Sequence, residues 1–351
     1  MTAGAAFDVF RLHGGKVEAA RALFPHGRAP WVDLSTGISP WAYPHEPLPR
    51  EAFTRLPDAE ALAVLEAAAS SSFGVADAQS VVATPGSDLA LRLLGRVLAG
   101  CRVAVVRPGY SGHVLAWEAP VTTIAACDIE SAASDHDVIV LANPNNPDGR
   151  VVSRERLLRI AARLAERAGV LLVDEAFADV MPEASVCGFL DRFANLVVLR
   201  SFGKFFGLAG VRLGFVVTAA TTAVAPAGLS IAAEIRRALG DWPVSGPAVA
   251  IGTAAYRDTR WQSGQRQRLA HAAQRLDALL TEAGLAIEGG TVLFRLVRCA
   301  DANAVFEHFA AHGILTRPFA GDPTLLRIGL PGDESQWQRL ADALVDARCT
   351  S

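Results

Sequence analysis

Four short apolar runs, 102–106, 137–141, 170–173 and 195–199, constrain the fold of this chain more than any other feature. Each is built mainly of valine, leucine and isoleucine, and each ends abruptly on polar or turn-forming residues. A strand with one wet face alternates apolar and polar residues, whereas an unbroken apolar run belongs to a sheet covered on both faces. Ser153 caps a helical pattern reaching about residue 168, with Leu157, Ile160, Leu164 and Ala165 on its inner side and Gly169 as its stop. Strands and helices that alternate in this way predict a mostly parallel sheet, whose ligand sits at the carboxyl ends of the strands. Tyr110, Asn146, Asp174 and Lys204 follow the four runs in turn, so the pattern sends all four to that end.

After Pro243 the texture changes. A long helical region at about 246–283 precedes a strand at 291–297, a helix at 301–312, a strand at 325–330 and a last helix from Glu334. The expected architecture is α/β: a large domain at 41–245 with a mostly parallel sheet covered by helices on both faces, a smaller α+β C-terminal domain at 246–351, and an N-terminal arm at 1–40. Residues 213–233 form the longest uncharged stretch, but Pro226 and several hydroxyl residues make it a buried strand, a loop and a helix start rather than a membrane span. A net charge of −3 gives no reason to expect nucleic acid or a membrane as partner. The five cysteines are scattered with no C-x-x-C pair, which predicts reduced thiols, no metal site and a cytoplasmic location. Asp8, Arg11, Lys16 and Glu18 stand where a secretory signal needs an apolar run.

Among 33 basic residues only Lys16 and Lys204 are lysines. A lysine amine can lose its proton and attack a carbonyl to form a Schiff base, which a guanidinium cannot do. Lys204 lies among Ser201, Gly203, Gly207, Gly210 and Arg212, a small-residue stretch with a hydroxyl and a fixed cation, suited to the phosphate-bearing aldehyde pyridoxal phosphate. Gly86-Ser87 opens a second helical pattern, and a helix N-terminus offers free N–H groups to a phosphate. Asp174 can hold the pyridine nitrogen protonated, Asn146 can donate to the ring's phenolic oxygen, and Tyr110 can stack on the ring face. Gly86, Ser87, Ser201 and Arg212 can grip the cofactor phosphate. An aspartate after a strand is most often a helix cap, and an asparagine in N-P-N-N-P most often a turn residue. Their joint order around a rare lysine favours the cofactor.

The motifs N-P-N-N-P-x-G at 143–149, D-E-A-F at 174–177 and S-x-x-K-x-F-G-L-A-G-x-R-x-G at 201–214 resemble the fold-type-I pyridoxal-phosphate enzymes, on the branch of histidinol-phosphate aminotransferase. The start of the chain, H-G-G-K from His13 and D-L-S-T-G-I-S-P-W-A-Y-P from Asp33, resembles more closely the threonine-phosphate decarboxylases of cobalamin biosynthesis. This resemblance implies that Lys204 is the Schiff-base lysine, Asp174 the pyridine partner and Asn146 the phenolate partner. It also implies that Arg327 clamps the substrate carboxylate, that His13, Gly15 and Arg317 lie near the substrate's own phosphate, and that the enzyme is a homodimer. The implied reaction is decarboxylation of a small phosphorylated amino acid, with aminotransfer as the alternative. Two positions depart from the aminotransferase pattern: Phe177 replaces a tyrosine that bonds the phenolic oxygen, and Leu56 falls where a neighbouring subunit's tyrosine reaches the cofactor phosphate.

Overall fold

The computed structural model describes residues 3–219, 223–224 and 229–349. They form two compact units, one of Ala42–Ser263 and one of Met1–Trp41 with Gly264–Ser351. The first is built on seven strands: β1 (Val81–Thr84), β2 (Val103–Val106), β3 (Thr122–Ile124), β4 (Val138–Ala142), β5 (Val170–Asp174), β6 (Leu196–Ser201) and β7 (Gly214–Thr218). Their order across the sheet is β1-β7-β6-β5-β4-β2-β3, with β6, β5, β4, β2 and β3 parallel and β7 antiparallel to both its neighbours.

The apolar runs become strands because both faces are buried. Val82, Val105, Val140, Leu172 and Leu199 meet Leu91 and Leu94 of the helix Ser87–Val97 and Ile231 and Ile235 of the helix Ile231–Leu239. Leu171 and Val173, which point the other way by strand alternation, are also fully buried. The helix Arg154–Ala165 begins where expected, with Ser153 Oγ accepting from Arg156 N at 3.3 Å. The stretch 213–233 does contain a strand and a helix start, while the loop between them falls largely at 220–222 and 225–228, outside the described residues. Among the described residues no helix is long and apolar enough to cross a membrane.

In the second unit an antiparallel sheet runs in the order β8 (Ala286–Thr291), β9 (Phe294–Arg298), β11 (Leu325–Gly329), β10 (Arg317–Pro318). The single strand expected at 291–297 is instead a hairpin, because the chain reverses at Val292-Leu293 with Thr291 opposite Phe294. Thr291 Oγ1 accepts from Leu293 N at 3.1 Å and closes that turn. The helical region after Pro243 is two helices, Gly246–Arg257, which belongs to the first unit, and Thr259–Glu282, divided at Asp258, whose carboxylate accepts from Trp261 N at 2.9 Å. The arm belongs to this unit: Val32–Asp33 pairs in parallel with Ile314–Leu315.

Candidate active site

Register places the cofactor candidates at one end of the large sheet. Asp174 lies opposite Ala142 on one side and Leu199 on the other, and Asn143 N donates to Asp174 O at 2.9 Å. The ends of β4, β5 and β6 therefore deliver Asn146, Asp174 and then Ser201 and Lys204 side by side. Gly214, the first residue of β7, lies opposite both Thr84 and Ser201, which brings Arg212 and Gly86-Ser87 to the same end.

Two glycines shape the space around this helix start. The helix Ser87–Val97 is capped by Gly86, at φ 90°, which supplies no side-chain acceptor to its first N–H groups. A Cβ on Gly86 would lie 2.7 Å from Arg212 Nη2, so the missing side chain lets a guanidinium lie against a helix N-terminus. A Cβ on Gly214 would come within 2.4 Å of Ser87 N. Gly214→Ala is therefore expected to displace the helix start, with about 1–3 kcal/mol of strain, and to weaken cofactor binding by roughly tenfold or more. Absorbance titration measures this, and an unchanged affinity would show that this helix does not hold the phosphate.

Asp174 is buried, and its Oδ2 lies 2.8 Å from Nε2 of His113, a fully buried residue that the sequence reading overlooked. A carboxylate can only accept, so His113 carries its proton on Nε2, and its Nδ1 has no hydrogen-bond partner among the described residues. Trp117 Nε1 donates to His113 O at 2.8 Å. The histidine thus fixes which way the carboxylate points. Tyr110 meets the His113 ring edge-on at 5.5 Å, and its hydroxyl donates to Asp88 Oδ1 at 3.0 Å. Burial first and the Asp88 charge second push the Tyr110 phenol far above its ordinary pKa, so it stays protonated.

Lys204 sits in the single turn Phe202–Phe205. Phe202 stacks on Phe206 at 4.5 Å, Phe206 on Trp261 at 5.6 Å, and Tyr43 meets Trp261 edge-on at 5.0 Å. The lysine backbone is held by aromatic packing on both sides. Phe177 is buried, and Leu56 is exposed on the surface.

His13, Gly15, Arg317 and Arg327 gather in the other unit. Arg317 lies directly opposite Arg327 across β10 and β11, and the two are only 8% and 4% exposed. Arg317 Nη2 donates to Leu12 O at 3.0 Å, next to His13, and Arg327 Nη2 donates to Ser35 O at 2.6 Å. Ser35 Oγ in turn accepts from Gly15 N at 2.8 Å. Like charges directly opposite in an antiparallel pair are destabilising. Burial, then the Arg317 charge, pull the Arg327 guanidinium well below its ordinary pKa, with Asp33 opposing them. An anion bound there would relieve both.

A glycine-capped helix with a guanidinium against it, a buried and oriented carboxylate and an amine fit a phosphorylated pyridine aldehyde. Residues 48–344 match the family model described as aminotransferase class I and II. The chain belongs to that family. Its cofactor is pyridoxal 5′-phosphate, and the residues at the end of the large sheet suit it. Among curated proteins, the chain is 43% identical to the threonine-phosphate decarboxylase of Pseudomonas aeruginosa, covering 95% of this chain and 97% of that one. It is 40% identical to the threonine-phosphate decarboxylase of a Sinorhizobium species, again covering 95% and 97%. Among solved structures it resembles histidinol-phosphate aminotransferase from Sinorhizobium meliloti in complex with pyridoxal-5′-phosphate, with TM-score 0.80, 23% identity and 95% and 94% coverage. The last likeness concerns the fold.

Proposed function

We propose that this protein is a pyridoxal-phosphate-dependent carboxy-lyase that converts L-threonine O-3-phosphate to 1-amino-2-propanol O-2-phosphate, for cobalamin biosynthesis, acting in the cytoplasm as a homodimer. The observation that carries the substrate class is the buried cross-strand pair Arg317–Arg327, two guanidiniums directly opposite each other whose mutual repulsion a doubly anionic substrate would lower. A substrate with a carboxylate and a phosphate supplies one anion to each. The names and coverage of the curated relatives support the same reading.

In this reading the bound cofactor supplies an electron sink for the pair left behind when a bond at the substrate's Cα breaks. The chain's own residues do the rest. Asp174, oriented by His113, holds a proton on the ring nitrogen; Asn146 donates to the phenolic oxygen; Tyr110 covers the ring. Gly86, Ser87, Ser201 and Arg212 hold the cofactor phosphate, and Lys204 supplies the amine that anchors the aldehyde. Arg327 grips the substrate carboxylate in a bidentate manner, and Arg317 with His13 and Gly15 takes the substrate phosphate. Gripping both ends selects which Cα bond is aligned to break, which is where binding energy becomes rate.

Carbon dioxide release from threonine phosphate with no keto-acid acceptor tests the reading. Turnover only with histidinol phosphate and 2-oxoglutarate would replace the decarboxylase by an aminotransferase. Arg327→Ala is expected to lower kcat/KM for threonine phosphate by about 100-fold, the worth of a lost bidentate ion pair. A wild-type value would remove Arg327 from the substrate site.

A further inference from the structure

Beneath the cofactor end of the sheet lies a buried ionic cluster. Asp174 and Glu175 are consecutive. Asp174 points to the face that carries Leu172, whereas Glu175 turns away into the interior and is fully buried. Glu175 Oε2 accepts from Arg200 Nη1 at 2.9 Å and from Ser185 Oγ at 2.6 Å, and Glu175 Oε1 accepts from Val186 N at 2.7 Å. Arg200, 3% exposed, is the residue before Ser201, and its other terminal nitrogen pairs with Asp179. Burial works against its charge, yet Asp179 and Glu175 raise its pKa above the ordinary value, so it remains a cation.

The same guanidinium lies 4.4 Å over the ring of Phe73. Phe73 meets Tyr256 edge-on at 5.2 Å, and Tyr256 packs on Phe202 at 5.6 Å and Phe206 at 5.2 Å, the residues two before and two after Lys204. One buried cation therefore joins the residue after Asp174, by an ion pair, to both flanks of Lys204, by aromatic contacts. A buried ion pair is a poor device for stability, because apolar residues of equal volume commonly do as well or better. Its worth lies in direction, since a planar guanidinium with two carboxylate partners admits a single arrangement.

We propose that Arg200, clamped between Glu175 and Asp179, is a positioning residue that fixes the carboxylate of Asp174 and the amine of Lys204 relative to each other for the cofactor. This rests on the roles assigned above to Asp174 and Lys204. It touches neither cofactor nor substrate and acts through the two strand ends it ties.

The test is a double-mutant cycle on the holoenzyme, reading cofactor dissociation constant, pH midpoint of the visible absorbance band and melting temperature. Arg200→Lys keeps the charge and loses the fork. It is expected to weaken cofactor binding by roughly tenfold, the size of one disturbed charge-assisted hydrogen bond, and to shift the band's midpoint. Both effects should shrink in the Asp174→Asn background, because the share transmitted through that carboxylate is lost while the share that reaches Lys204 through Phe73 and Tyr256 remains; effects of unchanged size there would overturn the link to Asp174. Glu175→Gln, isosteric at the other end of the pair, is expected to behave in the same way and serves where Arg200→Lys fails to fold. A fall in melting temperature in both backgrounds, with affinity and band unchanged, would make the cluster structural and overturn the proposal. If Asp174→Asn alone left affinity and band unaltered, the assignment of Asp174 would fall, and this inference with it.

Discussion

Replacing Lys204 with alanine is expected to lower turnover of threonine phosphate by roughly 10⁴-fold or more, because one amine both anchors the aldehyde and moves protons beside it. Wild-type protein treated with borohydride should carry the cofactor covalently at Lys204 alone, which peptide mass mapping reads directly. The alanine variant should carry none, even where it still binds the cofactor through Gly86, Ser87, Ser201 and Arg212. Lys16 is the chain's other lysine and lies exposed in the first stretch, so it is the internal control. Cofactor fixed equally to both lysines would remove Lys204 from its role.

Asp174→Asn should cost roughly 10³-fold in kcat, about 4 kcal/mol in the barrier, since an amide cannot hold the ring nitrogen protonated. His113 sharpens the expectation. Asp174 accepts from His113 on one oxygen and from Ala176 N on the other, whereas an asparagine has one oxygen for the two donors, so one buried N–H is left facing an NH2 group and this variant should also melt at a lower temperature. Kinetics and a thermal melt on the same preparation check both effects. A near-native kcat would mean that the ring nitrogen is not met by Asp174.

Most of the large sheet was legible in the sequence because those strands are buried on both sides and so carry unbroken apolar runs, whereas the edge strand Thr122–Ile124, largely exposed, carries none. The small sheet was less so. The hairpin at Thr291-Val-Leu-Phe294 turns without glycine or asparagine, and its apolar residues read straight through as one strand. Asp258 does cap the second of two helices, but an aspartate inside a long helical pattern is a weak signal beside a proline or glycine.

At the site, Lys204 stood out by its rarity and Asp174 and Asn146 by following strands. His113 had no comparable mark: it sits 61 residues from its partner, in a stretch that reads as an ordinary short helix. Arg200 was hidden for the opposite reason, as one arginine among many, and only three-dimensional packing shows it to be buried with Glu175 and Asp179. Pairings of this range are set by the tertiary fold, which periodicity along the chain does not report.

The union of the first stretch with the last has a consequence during synthesis. Residues 42–263 hold their whole sheet and can collapse as soon as they leave the ribosome. The arm cannot, because Val32–Asp33 waits for Ile314–Leu315, and Leu12 waits for Arg317, 305 residues downstream. At about 5–20 residues per second, the arm spends roughly 15–60 s without the strand it pairs with. Its apolar side chain Phe10 meets Phe306, at 5.2 Å between ring centres, so it is covered only after that residue has been made. The nascent arm therefore depends on residues 306–317 for its cover, and a chain stopped before them should aggregate through the arm rather than through the large sheet.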